Sequence, residues 1–425
     1  MGSVLGSARV RRIVLAYTIN RLGTWFGYIA LSLAVYAHTH SALAVAALLI
    51  AAEAVPAVVV PLVVARVEAS TRRAGLSALY AFEAATAAAL GFLLMSFWLP
   101  AILLIAIADG AAALAAAGLL RAAAARAARE AREADPSGNG AGAEDDAAAA
   151  EHDVNAALNI AFSLTFVLGP GLAGLLVAAT SASVALFLDA GTFLACGLML
   201  LDLSPRVEPQ EGGEGVRERI RDAWAHINSM PVLRALLIAE GIALVFFAAD
   251  AAIEVPYATV TLNAGDGGYG LILTVWGIGT GVGSLVFARA VHRALGAMLS
   301  GGALAVGLAY IGFAIAPTLA LACVASLLGG VGNGVQWASL VSAVQQMTPS
   351  RLHGQLMGAA ESIAAVCPAA GLLLGGGLVA LSSPRSAFLV VGIGATVMTA
   401  AFVRLSAATG LRRDSTAAAD ARKAG

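Results

Sequence analysis

Charge is scarce in this chain: 12% of its 425 residues are Asp, Glu, Lys or Arg, and lysine occurs once, as Lys423. So little charge cannot solvate the surface of a soluble fold of this length. With 60% hydrophobic residues and a mean hydropathy of +0.85, the composition is that of a polytopic membrane protein. A net charge of -1 gives no argument for a nucleic-acid partner. Cysteine is nearly absent, and Cys196, Cys323 and Cys367 all fall inside apolar runs, without ligand spacing or a disulfide framework. They read as small hydrophobes on packed helices. Also missing are a phosphate loop, metal-spaced His or Cys, and a nucleophile elbow. These absences argue against an enzyme, against ATP-driven transport and against any cofactor. The opening MGSVLGSARVRR enters its apolar run without a small-residue cleavage site, so the run is expected to be a first membrane span and not a removable signal.

What the chain does have is long charge-poor runs, which in hydrocarbon select helices, since only closed backbone hydrogen bonding is tolerated there. The pattern predicts an all-α membrane protein of twelve transmembrane helices in two six-helix pseudo-symmetric bundles. The first half carries spans from about Ile13 to Ala37 and Ser41 to Ala65, a third that follows Arg72 and Arg73 and runs to about Phe97, and then Ala101 to Leu120, Asn155 to Ala178 and Ser183 to Leu203. The second carries spans over 233–260, 268–288, 296–316, 318–347, 354–381 and 386–406. Residues 1–203 are thus an N-terminal bundle, 204–232 a cytoplasmic linker with an amphipathic surface helix, 233–407 a C-terminal bundle and 408–425 a tail. Residues 121–153 begin as an Ala/Arg helix and then lack the apolar surface to order themselves, so a solvated loop is expected there.

Orientation follows from arginine. Of the 25 Lys and Arg residues, all but Arg21 and Arg385 fall at the termini, in even-numbered loops or, as Arg234 and Arg404 do, within a few residues of the span ends that adjoin them. The positive-inside rule then places both termini, the 121–153 insertion and the linker in the cytoplasm. The expected setting is a bacterial plasma membrane, and the expected state a monomer.

The fifth span, NAALNIAFSLTFVLGPGLAGLLVA, rises about 36 Å over its roughly 24 residues, enough to cross the ~30 Å core. Gly169, Pro170, Gly171 and Gly174 crowd its second half, where proline removes a backbone donor and glycine admits a neighbouring helix. Gly277, Gly279, Gly281 and Gly283, with Gly329, Gly330, Gly332 and Gly334, give the second half similar close-approach surfaces.

A charge at the bilayer centre costs about 2.5 to 3.5 kcal/mol on insertion scales, so intramembrane charges should face protein or water. They are Arg21, Glu53, Glu83, Asp109, Asp189, Glu240, Asp250, Glu254 and Glu361. Tyr17, Asn20, Arg21, Thr24, Trp25 and Tyr28 recur at helical spacing, a stripe expected either to line a cavity or to pack on neighbouring spans. Asn333, Gln336 and Trp337 are further cavity candidates. Asp250 and Glu254 share a helix face, and such a pair repels unless it shares a proton or holds a cation. With Glu53 they are the candidates for proton coupling. Arg21 is expected to pair with Glu83 or Glu361 at similar depth, or else to bind a substrate anion.

LGPGLAGLL in span five, FLDAGTFLACGLML in span six and MTPSRLHGQLMGAAES entering span eleven together resemble the major facilitator superfamily, in its branch of bacterial drug and macrolide efflux permeases and siderophore exporters. The likeness covers about residues 10–407. It implies that Gly169, Pro170, Gly171 and Gly174 are the antiporter-type element, and that Asp189 belongs to the scaffold. Between spans two and three the family carries G-x-x-x-D-R-x-G-R-R, and this chain reads VVARVEASTRR. There Arg72 and Arg73 match the terminal cations, Glu68 stands loosely for the acid, and the leading glycine is absent. The expected function is export of small amphipathic molecules by proton antiport and alternating access. The rival readings are an uptake permease or uniporter, and a non-transporting membrane sensor.

Overall fold

A computed structural model describes residues 6–59, 75–133, 143–201, 229, 231–290, 295–347 and 353–409. Helix is the only regular structure among them, as backbone in hydrocarbon requires. In chain order come α1 (Ala8–Thr39), α2 (Ala42–Leu49, running on through a π-helical turn Ile50–Ala54), α3 (Gly75–Leu93), α4 (Leu99–Glu133), α5 (Ala143–Ala179) and α6 (Ala182–Met199). There follow α7 (Pro231–Pro256, with a π-helical turn Tyr257–Thr261), α8 (Gly265–Arg289), α9 (Leu295–Ile315), α10 (Leu319–Met347), α11 (His353–Leu381) and α12 (Pro384–Thr409). These twelve are the twelve expected spans. Eight of them are long and apolar enough to cross a bilayer. Among the rest, α7 holds Glu240, Asp250 and Glu254, and α12 contributes a shorter apolar stretch, Pro384–Ala400. Large side chains such as Leu104, Leu198, Ile315 and Leu381 are exposed along the helices, a surface that lipid and not water covers.

Local chemistry sets the joints. His40 adopts φ 49° and its N–H bonds back to the Tyr36 carbonyl, ending α1 in a left-handed cap. Ser41 then caps α2 by accepting from the Ala44 N–H at 3.3 Å. The two π-helical turns both adjoin proline. Pro56 offers no N–H to the Ala52 carbonyl, and the Val55 N–H instead reaches Ile50 across a wider turn. Pro256 immediately precedes the other, where the Leu262 N–H reaches Tyr257 at 2.9 Å.

Contacts gather the chain into two units, Met1–Gln210 with Gly265–Thr274, and Glu211–Ala264 with Val275–Gly425. Helix α8 therefore begins in the first and ends in the second. In unit 1, α1 packs on α5 and α6, and α3 on α4 and α6. In unit 2, α9 packs on α10 and α12, and α7 on α11 and α12.

The expectation of a solvated loop across residues 121–153 is corrected at both ends. Helix α4 continues to Glu133 and α5 begins at Ala143, so each runs well past the ~30 Å that hydrocarbon requires. Ala124, Ala128, Ala150 and Val154 are buried with Val10 of α1 in one core. Alanine contributes little hydropathy, but its small side chain lets helices approach closely, which is why composition alone concealed the packing. Ion pairs edge this extension: Glu130 with Arg9 and Arg126, and Glu151 with Arg129. Arg126, hydrogen-bonded to Glu130, and Arg9 beside it hold the Glu130 carboxyl below its usual range. That pairing contributes stability above the ordinary glutamate range and loses it as pH falls through the lowered value.

Ala128→Asp, which places a charge in that core, is expected to destabilise the detergent-solubilised protein by several kcal/mol. Arg129→Ala, at an exposed pair, should cost at most about 1 kcal/mol. Thermal unfolding that responds equally to both substitutions would show that the extension is not packed.

Candidate functional site

Within unit 1 the polar stripe of α1 meets α5. Gly169 is what admits it: a Cβ there would lie 2.2 Å from the Trp25 ring. Trp25 packs edge-on against Phe166 at 5.7 Å and against Tyr28 at 5.6 Å. One turn earlier the Arg21 guanidinium lies 5.1 Å from the centre of the Phe162 ring, a cation–π contact. Thr24 is exposed and donates to the Asn20 carbonyl at 2.9 Å, while Tyr17, Asn20, Arg21, Trp25 and Tyr28 are half-buried.

The expected Arg21–Glu83 ion pair does not form. Glu83 is 1% exposed and its Oε2 has no hydrogen-bond partner. The rotation of α1 explains this, because Gly23 and Gly27 are turned toward α6 while Arg21 lies on roughly the opposite side of the helix. The acid within electrostatic range of Arg21 is Glu53 of α2. Glu361, the other expected partner, lies outside the described side chains. So do Glu68, Arg72 and Arg73 of the expected gating loop.

Glu53 sits in the π-helical turn of α2 and is exposed. The widened turn presses on α4, where a Cβ at Gly110 would lie 2.0 Å from the Ala52 carbonyl oxygen. Sequence periodicity assumes a regular helix and gave no sign of this turn, although Pro56 was a visible cause.

The glycines of α5 face the first third of α8, inside unit 1. A Cβ at Gly171 would approach Thr274 Oγ1 to 2.6 Å, and one at Gly174 would approach the Cα of Gly270 to 2.9 Å. In return, a Cβ at Gly270 would lie 2.5 Å from the Pro170 carbonyl oxygen. At Gly174 and Gly270 backbone meets backbone, so no side chain can give way there. Pro170 stays within the helix.

In unit 2, Asp250 and Glu254 are 8% and 2% exposed. The Tyr310 hydroxyl donates to Asp250 Oδ2 at 3.1 Å, and Glu254, one turn on, is close enough to interact with Asp250. The Tyr310 ring is itself part of an aromatic cluster. Trp276 stacks on Tyr310 at 6.0 Å, Tyr310 on Phe388 at 6.0 Å, and Tyr257 meets Phe388 edge-on at 5.0 Å. Gly329 of α10 makes room for Trp276, since a Cβ there would lie 2.2 Å from its ring. Arg385, within electrostatic range of Tyr257, donates to the Ala314 carbonyl at 3.2 Å. Among the described residues no cation forms a salt bridge with Asp250 or Glu254. Tyr310, the one side chain bonded to the pair among the described residues, was missed by sequence reasoning because 56 residues separate it from Glu254.

Of the α10 candidates, Trp337 is exposed, while Asn333 and Gln336 are half-buried. Gln336 lies within interaction range of the buried Glu240 of α7 and packs against Gly302 of α9. The structure thus places the candidates in separate groups: Glu53 with Arg21 in unit 1, and Asp250 with Glu254 in unit 2. The three cysteines are unpaired, and Cys196 donates from Sγ to the Ala16 carbonyl at 3.2 Å.

Residues 241–423 match the family model of the Major Facilitator Superfamily. The multidrug efflux pump Tap of Mycolicibacterium fortuitum is 26% identical over 246 residues, 56% of this chain and 59% of that protein. The match therefore spans less than two thirds of that relative's length. Among solved structures, the nucleoside transporter NupG superposes with a TM-score of 0.71 at 13% identity, over 94% of this chain and 99% of that one. A bacterial metal transporter gives 0.65 at 15% identity, over 94% and 99%. A POT family transporter bound to a thioalcohol-conjugated peptide gives 0.68 at 10% identity, over 93% and 96%. Helices long and apolar enough to cross a bilayer, a fold shared with these transporters over nearly the whole chain and a family-model match confined to the second half agree: the chain is a multi-pass membrane protein with the fold of those transporters, and its residues 241–423 are similar to the Major Facilitator Superfamily.

Proposed function

We propose that the protein exports small amphipathic molecules across a bacterial plasma membrane in exchange for protons, with both termini and the charged α4–α5 extension on the cytoplasmic side. The observation that carries the proposal is the Asp250–Glu254 pair. Two buried carboxyls one helical turn apart, one of them held by the Tyr310 hydroxyl and neither in a salt bridge among the described residues, suit reversible proton binding. The half-exposed stripe of Tyr17, Arg21, Thr24, Trp25 and Tyr28 supplies apolar, aromatic and hydrogen-bonding surface for a cargo of mixed character. Export is favoured over uptake by the Gly-Pro element in α5 and by the likeness to a multidrug efflux pump.

Everted membrane vesicles test the direction. Fluorescent lipophilic cations should accumulate when the lumen is acidic and leave when the gradient is collapsed. Accumulation that ignores the gradient argues for a uniporter, and accumulation only in right-side-out vesicles for uptake. Trp25→Ala is expected to weaken dye binding by about tenfold, through loss of one large aromatic contact. Equilibrium binding of the same dye to detergent-purified protein checks it, and unchanged affinity would remove the stripe from the cargo site.

A further inference from the structure

A second group of acids, buried in unit 1, is left unused by that reading. Glu83 of α3 is 1% exposed and Asp189 of α6 is 5% exposed, with Asp109 of α4 half-buried between them in the chain. The three come from different helices and lie within electrostatic range of one another. Thr86 donates to Asp109 Oδ1, and Thr192 Oγ1 lies 3.5 Å from Asp189 Oδ1. Glu83 Oε2 has no hydrogen-bond partner, although it is sealed from solvent. The other titratable groups facing the cluster are Tyr17 from α1, Tyr80 from α3 and Cys196 from α6. No salt bridge among the described residues involves any of the three acids.

Three carboxylates in an apolar interior cannot all stay ionised without a counter-charge. The cluster is also not isolated from the cargo stripe. Both Asp189 oxygens press on the bare backbone of α1: a Cβ at Gly23 would lie 2.5 Å from Oδ1, and one at Gly27 would lie 2.6 Å from Oδ2. Arg21 and Trp25 lie on roughly the opposite side of that helix. A change of charge at Asp189 therefore acts on the helix that carries the stripe.

We propose that Glu83, Asp109 and Asp189 form a proton-binding site inside unit 1, and that its occupancy is transmitted through the Gly23 and Gly27 notch to the Arg21 and Trp25 face of α1. Binding of protons here stands apart from the transport reading, and only its use in export rests on that reading.

The test uses the full chain reconstituted in lipid, with the proton as ligand. Infrared difference spectra between acidic and alkaline buffer report protonated carboxyls, and the part of tryptophan emission assigned by Trp25→Phe reports α1. Glu83→Gln, Asp109→Asn and Asp189→Asn should each lose carboxyl signal, about one proton for each acid that titrates. Asp189→Asn should also abolish the pH response of Trp25, whereas Glu254→Gln should retain it. If the amide variants fail to fold, Thr86→Val and Thr192→Val remove only hydroxyls, and each should move the titration midpoint by about one pH unit. A carboxyl signal unchanged in all three amide variants, or Thr variants with an unmoved midpoint, overturns the site. A Trp25 response that persists in Asp189→Asn overturns the transmission. Dye export plays no part in these readings, so loss of the export reading leaves them interpretable.

Discussion

Glu254→Gln and Asp250→Asn are each expected to abolish acid-lumen-driven dye accumulation while leaving dye exchange between equal concentrations intact. The amides keep the size of the acids and hold no exchangeable charge, so a cycle that depends on taking up and releasing a proton there stops. Loss of a positioned proton-transfer group costs roughly 100-fold or more in rate. Exchange at equal concentrations needs helix movement but no net proton flux, and so separates a coupling defect from a folding defect. Tyr310→Phe sharpens the result. It removes the hydroxyl that donates to Asp250 Oδ2 while leaving the ring in its stack with Trp276, and should alter the pH dependence of transport more than its maximum. Glu53→Gln belongs in the same series, since Glu53 is exposed and within electrostatic range of Arg21. Proton dependence that survives in all three amide variants would end the coupling role of these acids.

Replacing either glycine at the crossing of α5 and α8 should arrest transport without preventing membrane insertion. A side chain at Gly174 meets the Asp266 carbonyl oxygen and the Gly270 Cα at 2.9 Å, and one at Gly270 meets the Pro170 carbonyl oxygen at 2.5 Å. Those neighbours are backbone, so Gly174→Leu or Gly270→Leu must separate the helices. Overpacking of this kind costs about 1 to 3 kcal/mol in a well-packed interior. Each 1.4 kcal/mol is tenfold in an equilibrium, so a closed arrangement that needs this contact becomes about 5-fold to about 150-fold rarer. Gly267→Ala is the control, because its nearest neighbour, Leu175 Cδ2, stands off at 4.0 Å. Export by Gly270→Leu at the rate of Gly267→Ala would show that the crossing opens freely during the cycle.

Some features of the candidate sites were visible in the chain and others were not. The spacing of Asp250 and Glu254 puts them on one helix face whatever the helix packs against, so their pairing was legible. Depth along a span can be counted and offers Glu83 or Glu361 as a partner for Arg21, but depth does not fix the rotation of α1. The notch at Gly23 and Gly27 turned that helix so that Arg21 came to lie over Phe162. Asp189 was assigned to the scaffold by resemblance, and only the fold revealed its place between α1 and two other acids.

By itself the sequence determined that the chain is a membrane protein of twelve helices, and where each begins to within a turn or so for most of them. The reason is that hydrocarbon thickness and the need to close every backbone hydrogen bond act on each segment separately, and so leave their mark in local composition. Tertiary structure alone decided which acids meet, that the start of α8 joins α5 in unit 1, that π-helical turns adjoin Pro56 and Pro256, and that an alanine-rich stretch packs beyond the membrane core. Those outcomes depend on the rotation of each helix about its axis, which is set by where a glycine or alanine lets a distant backbone come close.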